Sequence, residues 1–257
     1  MIDFTLKKYK ELLISYKNAG FETITFKELF LQPNRNEEKV LLLRHDVDAK
    51  PMNSLYTGII ENDLGLVGTY YFRNRRSTFN KKVIIELENL GHEIGYHYEN
   101  LSDNKGNTEK AIADFEKNLS VFRDIADIQT ISMHGSPLSS YDNRDLWKNY
   151  NYKDYGLLGE PYFDIDYDKF FYVTDTGRSW LQSSSNLRDN VTSRFNYNFS
   201  NTDELISAIN KDKIHNYVVQ NIHPQRWNDN KFFWLSELIK QNIKNQGKFF
   251  LNYMRRK

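Results

Sequence analysis

Val40-Leu41-Leu42-Leu43-Arg44-His45-Asp46-Val47-Asp48 is the stretch on which the fold turns. Four consecutive apolar residues leading into a polar run read as a short strand buried on both faces, the signature of a parallel sheet covered by helices. The strand ends in two carboxylates two residues apart. Reactive groups in parallel α/β folds gather just past the carboxyl ends of strands, and a pair so spaced can present one carboxylate to a metal ion and the other to a water.

Outward from this strand the chain alternates between the two periodicities. Helical patterns cover residues 7–18, closed by Gly20, and 52–62, stopped by Leu64-Gly65. Residues 81–90 form another, ending at Gly91, a glycine placed to take the left-handed residue after a helix. The clearest is 108–124, where Ile112, Phe115, Leu119 and Phe122 fall on one face. The last runs over 230–245, with Gly247 after it. Strands are expected at 67–73, 92–97, 129–133, 170–174 and 217–222. Strand and helix in alternation argue for a parallel sheet or barrel. The 257 residues suit one such domain. It would carry a helical extension over about 1–38 and long loops over about 151–201, a region rich in Tyr, Asn, Ser and Asp.

Composition removes several function classes. The absence of cysteine excludes a disulfide scaffold, a thiolate zinc site and a cysteine nucleophile. A formal net charge of +1 gives no electrostatic footprint for nucleic acid. No long basic run marks an anionic membrane surface, and no apolar stretch is long enough for a spanning helix. Met1-Ile2-Asp3-Phe4 does not begin a signal peptide, so a cytoplasmic location is expected. There is no glycine-rich phosphate cradle.

Six histidines are present, and four of them, His45, His97, His134 and His223, follow an expected strand. Taken alone, each is ordinarily a hydrogen-bonded structural group, as His92 and His215 are expected to be, and a lone aspartate after a strand is ordinarily a turn or capping residue. Their joint placement at four strand ends is what points to a site. Imidazole and carboxylate together suit zinc or another divalent first-row metal.

These residues resemble the NodB-homology polysaccharide deacetylases, carbohydrate esterase family four. The family's first motif, a strand followed by two nearby aspartates, often written His-Asp-Val-Asp in divergent members, is matched by Leu43-Arg44-His45-Asp46-Val47-Asp48. The second, Gly-His-Glu-Ile-Gly-x-His, is matched at every fixed position by Gly91-His92-Glu93-Ile94-Gly95-Tyr96-His97. The likeness is strong over residues 40–100 and looser beyond. It implies an α/β fold, a distorted (β/α) barrel of seven strands, and removal of an N-acyl group, acetyl foremost, from an amino sugar. The variant looks like the subgroup associated with surface-polysaccharide biosynthesis. By this resemblance Asp46 is the general base, Asp48 and His97 are metal ligands, and His223 is the general acid.

The chain departs from the family in two places. The second motif usually continues with a further histidine ligand, and here that position is Leu101. The third usually presents an arginine followed by prolines, and here the strand end reads Met133-His134-Gly135-Ser136-Pro137. The third ligand is therefore either His134 or Glu99. One divalent ion, zinc foremost, is the implied cofactor, and a carbohydrate the implied partner. Arg44 and His45 are candidates for orienting Asp46 or contacting substrate. Glu160, Tyr162, Asp175, Arg178 and Trp180 are candidates for sugar contacts, with core aromatics and solvated charges as the alternative reading. A catalytically degenerate barrel that binds a glycan or a biosynthetic partner, and a different metal-dependent amide hydrolase, are the competing functions.

Overall fold

Strand β2 (Val40–Val47) is buried along its whole length and lies inside a seven-stranded sheet in which every pairing is parallel. In this computed structural model, residues 2–33, 38–181, 191–196 and 198–255 are described, the side chains as far as residue 247. One edge of β2 pairs throughout with β7 (Tyr217–Ile222), from Val40↔Tyr217 to His45↔Ile222. The other edge is shared. Strand β1 (Glu22–Thr23) takes Val40 and Leu41, and β3 (Thr69–Phe72) takes Arg44 to Val47. Beyond β3 lie β4 (Glu93–Tyr98) and β5 (Ile131–Met133), and beyond β7 lies β6 (Phe171–Thr174), giving the order β5-β4-β3-β2-β7-β6. The sheet curls into an open, distorted barrel, as expected.

Period-two alternation sorts the side chains of β2 between two faces. Leu41 and Leu43 join Val218 and Ile222 against Tyr9, Leu12 and Tyr16 of α1 (Leu6–Asn18) and Leu205 and Ile209 of α8 (Thr202–Asn210). On the same outer side, Tyr70, Phe72, Ile94 and Tyr96 pack on Val83 and Leu87 of α4 (Lys81–Asn89) and on Phe115, Leu119 and Phe122 of α6 (Thr108–Arg123). Each such side chain contributes roughly 1.5–3 kcal/mol by leaving water. The inner face reads differently. Val40, Leu42, Tyr71, Tyr172 and Val219 form a separate cluster with Phe26 of α2 (Phe26–Leu31) and with Ile165, Tyr167 and Phe170. This cluster fills the inside of the curl beneath the carboxyl ends of the strands, so Arg44 and Asp46, next along that face, sit on an apolar floor.

Tyr71 reaches this interior because β4 has no side chain at Gly95. A Cβ there would lie 2.4 Å from two atoms of the Tyr71 ring.

Several elements differ from the sequence expectation. Helix α2 was not anticipated, although Thr25 and Glu28 form a capping box at its start. Its first turn is held by Glu93, whose Oε2 accepts from Lys27 N (3.0 Å) and Thr69 Oγ1 (2.7 Å). Helix α8, capped by Asn201, was also unforeseen. Gly247 does not end the last helix, α9 (Lys231–Arg255), which runs through it. Gly247 has no positive φ, and a glycine inside a helix costs only about 1 kcal/mol. In the stretch 1–38, α1 packs on α8 and β1 pairs with β2; residues 1 and 34–37 lie outside the described residues. Within 151–201 the chain forms α7 (Pro161–Asp164) and β6, and residues 182–190 and 197 lie outside the described residues.

Candidate active site

Asp48 is the point on which the strand-end residues converge. His97 Nε2 and His134 Nε2 each lie 3.5 Å from its Oδ1, and His223 Nε2 lies 3.8 Å from its Oδ2. The three imidazoles come from three places: His97 from β4, His134 from the residue after β5, and His223 from the residue after β7. Nearly a quarter of the Asp48 side chain (24%) remains open to solvent, while those of His97 and His223 are almost closed.

Each ring is held from behind by an acceptor on Nδ1. His97 Nδ1 lies 2.9 Å from the carbonyl oxygen of Ser132. His134 Nδ1 lies 3.0 Å from Glu99 Oε2 and 3.1 Å from Ser136 Oγ. His223 Nδ1 lies 2.6 Å from Asp175 Oδ1. A carbonyl or carboxylate oxygen only accepts, so the hydrogen sits on Nδ1 and Nε2 is the nitrogen turned toward Asp48. Burial pushes the Asp48 carboxyl up, but His134, His97 and His223 outweigh it and hold it well below the usual carboxylate range. Burial likewise pulls the His97 imidazole down, and the carboxylates of Asp46 and Asp48 more than reverse this.

Asp46 stands beside this group, its Oδ2 3.9 Å from His97 Nε2. Arg44 Nε and Nη2 donate to its two oxygens at 2.9 Å each, and Asn221 Nδ2 donates to Oδ2 at 3.2 Å. Arg44 is fully buried, so it orients Asp46 rather than meeting solvent. Its guanidinium lies 4.7 Å from the centre of the Tyr162 ring, and its Nη2 is 3.3 Å from the Tyr162 hydroxyl. Tyr162 is half-buried at the rim of the group.

The remaining candidates lie behind the group or away from it. Glu99 supports His134 and is itself held by Arg73 (2.9 and 2.6 Å) and Arg75 (2.6 Å), so both of its oxygens are already taken up. Burial raises the Glu99 carboxyl, and His134 and Arg73 overcome this and lower it. Asp175, fully buried, does not face the opening; it accepts from His223 N, Arg226 Nη1 (2.6 Å) and Trp227 Nε1 (2.8 Å). Glu160 is fully buried as well and caps α7, accepting from Met133 N (2.9 Å) and Tyr162 N (2.6 Å). His45 faces the outer side of β2, stacked on Tyr70 at 4.0 Å and 2.9 Å from Glu61 Oε1. Arg178 lies over Trp234, and Trp180 donates to Thr202 Oγ1 within the core. His92 and His215 bond to backbone groups, as expected of structural histidines.

Several members of the arrangement escaped the sequence reading: Asn221, Arg73, Arg75 and Arg226. Asn221 carried a usable signal, because it precedes His223 by two residues and so shares its face of β7. Trp227, four residues after His223, is fully buried and donates to Asp175.

The donors suit a divalent first-row ion. Asp48 Oδ1 is buried and has no hydrogen-bond partner. A tetrahedral ion with bonds of about 2.0–2.2 Å sets neighbouring ligand atoms about 3.3–3.6 Å apart, and the spacings of His97 and His134 Nε2 from Asp48 Oδ1, 3.5 Å each, fall in that range. Closure is incomplete: among the described residues no three His, Asp or Glu side chains are already arranged to hold an ion. Leu101, where the second motif usually offers a further histidine, is buried in the outer core and supplies no donor.

No protein-family model matches the chain, and no curated protein matches it. Among solved structures it is similar to a CE4 esterase of Streptococcus mutans (16% identity, TM-score 0.46, covering 83% of this chain and 85% of that one). It is also similar to a family 4 carbohydrate esterase of Bacillus anthracis (11%, 0.44, 91% and 85%) and to one of Streptomyces lividans in complex with acetate (14%, 0.40, 82% and 89%).

Proposed function

We propose that the chain is a metal-dependent hydrolase that removes an N-acyl group, acetyl foremost, from an amino sugar of a surface polysaccharide or its precursor. The observation that carries this reading is the set of three imidazoles, each tied through Nδ1 and aimed through Nε2 at Asp48. The motif pair at residues 43–48 and 91–97 supports it.

Asp48, His97 and His134 would hold the ion, with Glu99 fixing the His134 ring rather than serving as a ligand. A divalent ion so held supplies Lewis acidity toward an acyl carbonyl and lowers the pKa of water. Asp46, pinned in plane by Arg44 and Asn221, takes the proton of the attacking water. His223 stands across Asp48 and, as the imidazolium with a proton on Nε2 as well as on Nδ1, gives the Nε2 proton to the departing amine, which leaves poorly as an anion; the proton that Asp46 took from water then returns to His223 through solvent. Asp175 keeps the other ring nitrogen protonated and supports the charge the ring acquires. Tyr162, at the rim, is placed to meet the sugar.

A sugar-binding barrel without catalysis is the competing reading. It is favoured by the incomplete closure of the donor set and by Leu101. Metal content and acyl release separate the two. One zinc or other divalent ion per chain is expected, lost on Asp48→Ala, His97→Ala and His134→Ala. Acetate or formate release from N-acylated amino sugars is expected to fall with it. Glu99→Ala is expected to weaken the ion by about 10–100-fold without abolishing it. Metal content unchanged in all three ligand variants would sink the enzyme reading.

A further inference from the structure

The helix α9 is set on the molecule with its polar side inward. Glu237 and Gln241 are buried (8% and 4% exposed), and Asn245 Nδ2 donates to Gly177 O at 2.9 Å. Trp234 anchors the first turn, its Nε1 donating to Asp3 O at 2.7 Å and its carbonyl accepting from Arg178. The apolar side faces out. Phe232, Leu235, Ile239 and Ile243 recur at helical spacing as one stripe, Phe232 75% and Ile243 65% exposed. This is the reverse of a helix that borders water. Exposed Tyr56 and Ile59 of α3 (Pro51–Asp63) line an open cleft with Leu6, Lys10 and Asp229, just before α9 begins.

The charges say what this face fits. Lys231 flanks one side of the stripe, Lys240 and Lys244 the other, all exposed, and Glu237, facing inward, lies 3.6 Å from Lys50. Residues 231–257 hold seven Lys or Arg and one acid, a net of +6 against +1 for the whole chain, so residues 1–230 carry −5. Among the residues whose side chains are described, Lys231, Lys240 and Lys244 are spaced along the helix rather than gathered in a run. An apolar stripe edged by lysines is the pattern of a helix that lies in the plane of an anionic bilayer surface, apolar side chains in the acyl boundary and ammonium groups among the headgroups. A second copy fits less well, because joining two such stripes sets lysines against lysines. No helix among the described residues is long and apolar enough to cross a membrane, so the contact is with the surface.

We propose that α9 docks the protein on an anionic lipid surface. Neither the acyl chemistry nor the ion enters this proposal, and none of the stripe residues belongs to the candidate active site. The test is co-sedimentation of the full chain with vesicles of phosphatidylcholine alone and of equal parts phosphatidylcholine and phosphatidylglycerol. The chain is expected to pellet with the anionic vesicles and stay in solution with the neutral ones. The double variants Ile239→Glu with Ile243→Glu, and Lys240→Glu with Lys244→Glu, are each expected to weaken pelleting by about tenfold or more. Circular dichroism is expected to be unchanged in both, since all four side chains are exposed. Pelleting equal with both lipids, or with neither, overturns the proposal. So does a dimer in light scattering that the isoleucine variant converts to monomer, which would make a second copy the occupant.

Discussion

Asp175 sits behind His223, yet it governs what His223 presents at the site. Three donors besides the imidazole reach this carboxylate, from His223 N, Arg226 and Trp227. Burial pushes its carboxyl up, and Arg226 and His223 more than offset this and lower it. Asp175→Asn keeps the shape but permits the opposite ring tautomer. Deacylation is therefore expected to fall by roughly 10²–10⁴-fold, read as kcat on an N-acylated amino sugar, with metal content unchanged. A second residue effect is thermodynamic. Burial raises the Glu160 carboxyl from the usual 4.5 to about 7 despite Arg44 and two backbone donors. The unfolded chain loses this proton near pH 4.5 and the folded one near pH 7, so between them the folded state binds more protons and stability falls as pH rises. The contribution is complete below about pH 4.5 and lost above about pH 7, about 3 kcal/mol in all. Urea unfolding of the wild type and Glu160→Gln across this window checks it. The difference between the two proteins should shrink or reverse with rising pH by that order, and a constant difference would refute it.

At the scale of elements, the pleat of β2 does the sorting. Arg44 and Asp46 turn to the inside of the curl, and His45 between them turns to Glu61 beneath α1 and α3. The motif residues thus face two ways, Arg44 and Asp46 toward the candidate site and His45 toward Glu61 in the outer core. Strand β4 repeats the pattern, with Glu93, Gly95 and His97 inward and Ile94, Tyr96 and Tyr98 among the outer core. Gly95 admits the Tyr71 ring, and the same ring lies 5.9 Å from the Arg44 guanidinium. Gly95→Ala must displace that ring, an overpacking expected to cost about 1–3 kcal/mol. It should also move Arg44 and with it Asp46. Denaturant unfolding measures the first effect and kcat the second; wild-type values of both would contradict the packing argument. The start of α2 carries a smaller effect. Thr25→Ala removes a capping box and is expected to lower stability by about 1 kcal/mol by the same measurement.

For the whole molecule, the ion would tie together the carboxyl ends of β2, β4 and β5, strands that no loop joins directly. A ligand that binds only the folded state at about a hundredfold excess over Kd adds about 2.7 kcal/mol. In a chain of this size that raises Tm by about 5–10 °C. Zinc added to chelated protein should produce this rise in calorimetry, and His97→Ala should abolish it. An equal rise in both proteins would place the ion elsewhere.

Local pattern was enough to read the alternation of strands and helices, the parallel sheet, and the two aspartates and three histidines that meet at strand ends, because burial on both faces and the rule of strand ends are written in near neighbours. Helix α2 is legible in its Thr25–Glu28 box. What pattern could not decide is which polar residues face each other. Glu99 supports His134 only because β4 and β5 pair at this register, with His97 opposite Ser132 and Tyr98 opposite Met133. Asp175 stands behind His223 because β6 and β7 are neighbours, though 48 residues separate the two side chains. The sequence by itself determined the fold class and the strand-end residues proposed to carry the chemistry. Only the tertiary structure decided which of them touch the opening and which hold others in place, because those relations join strands far apart in the chain and depend on which face of the pleat each residue takes.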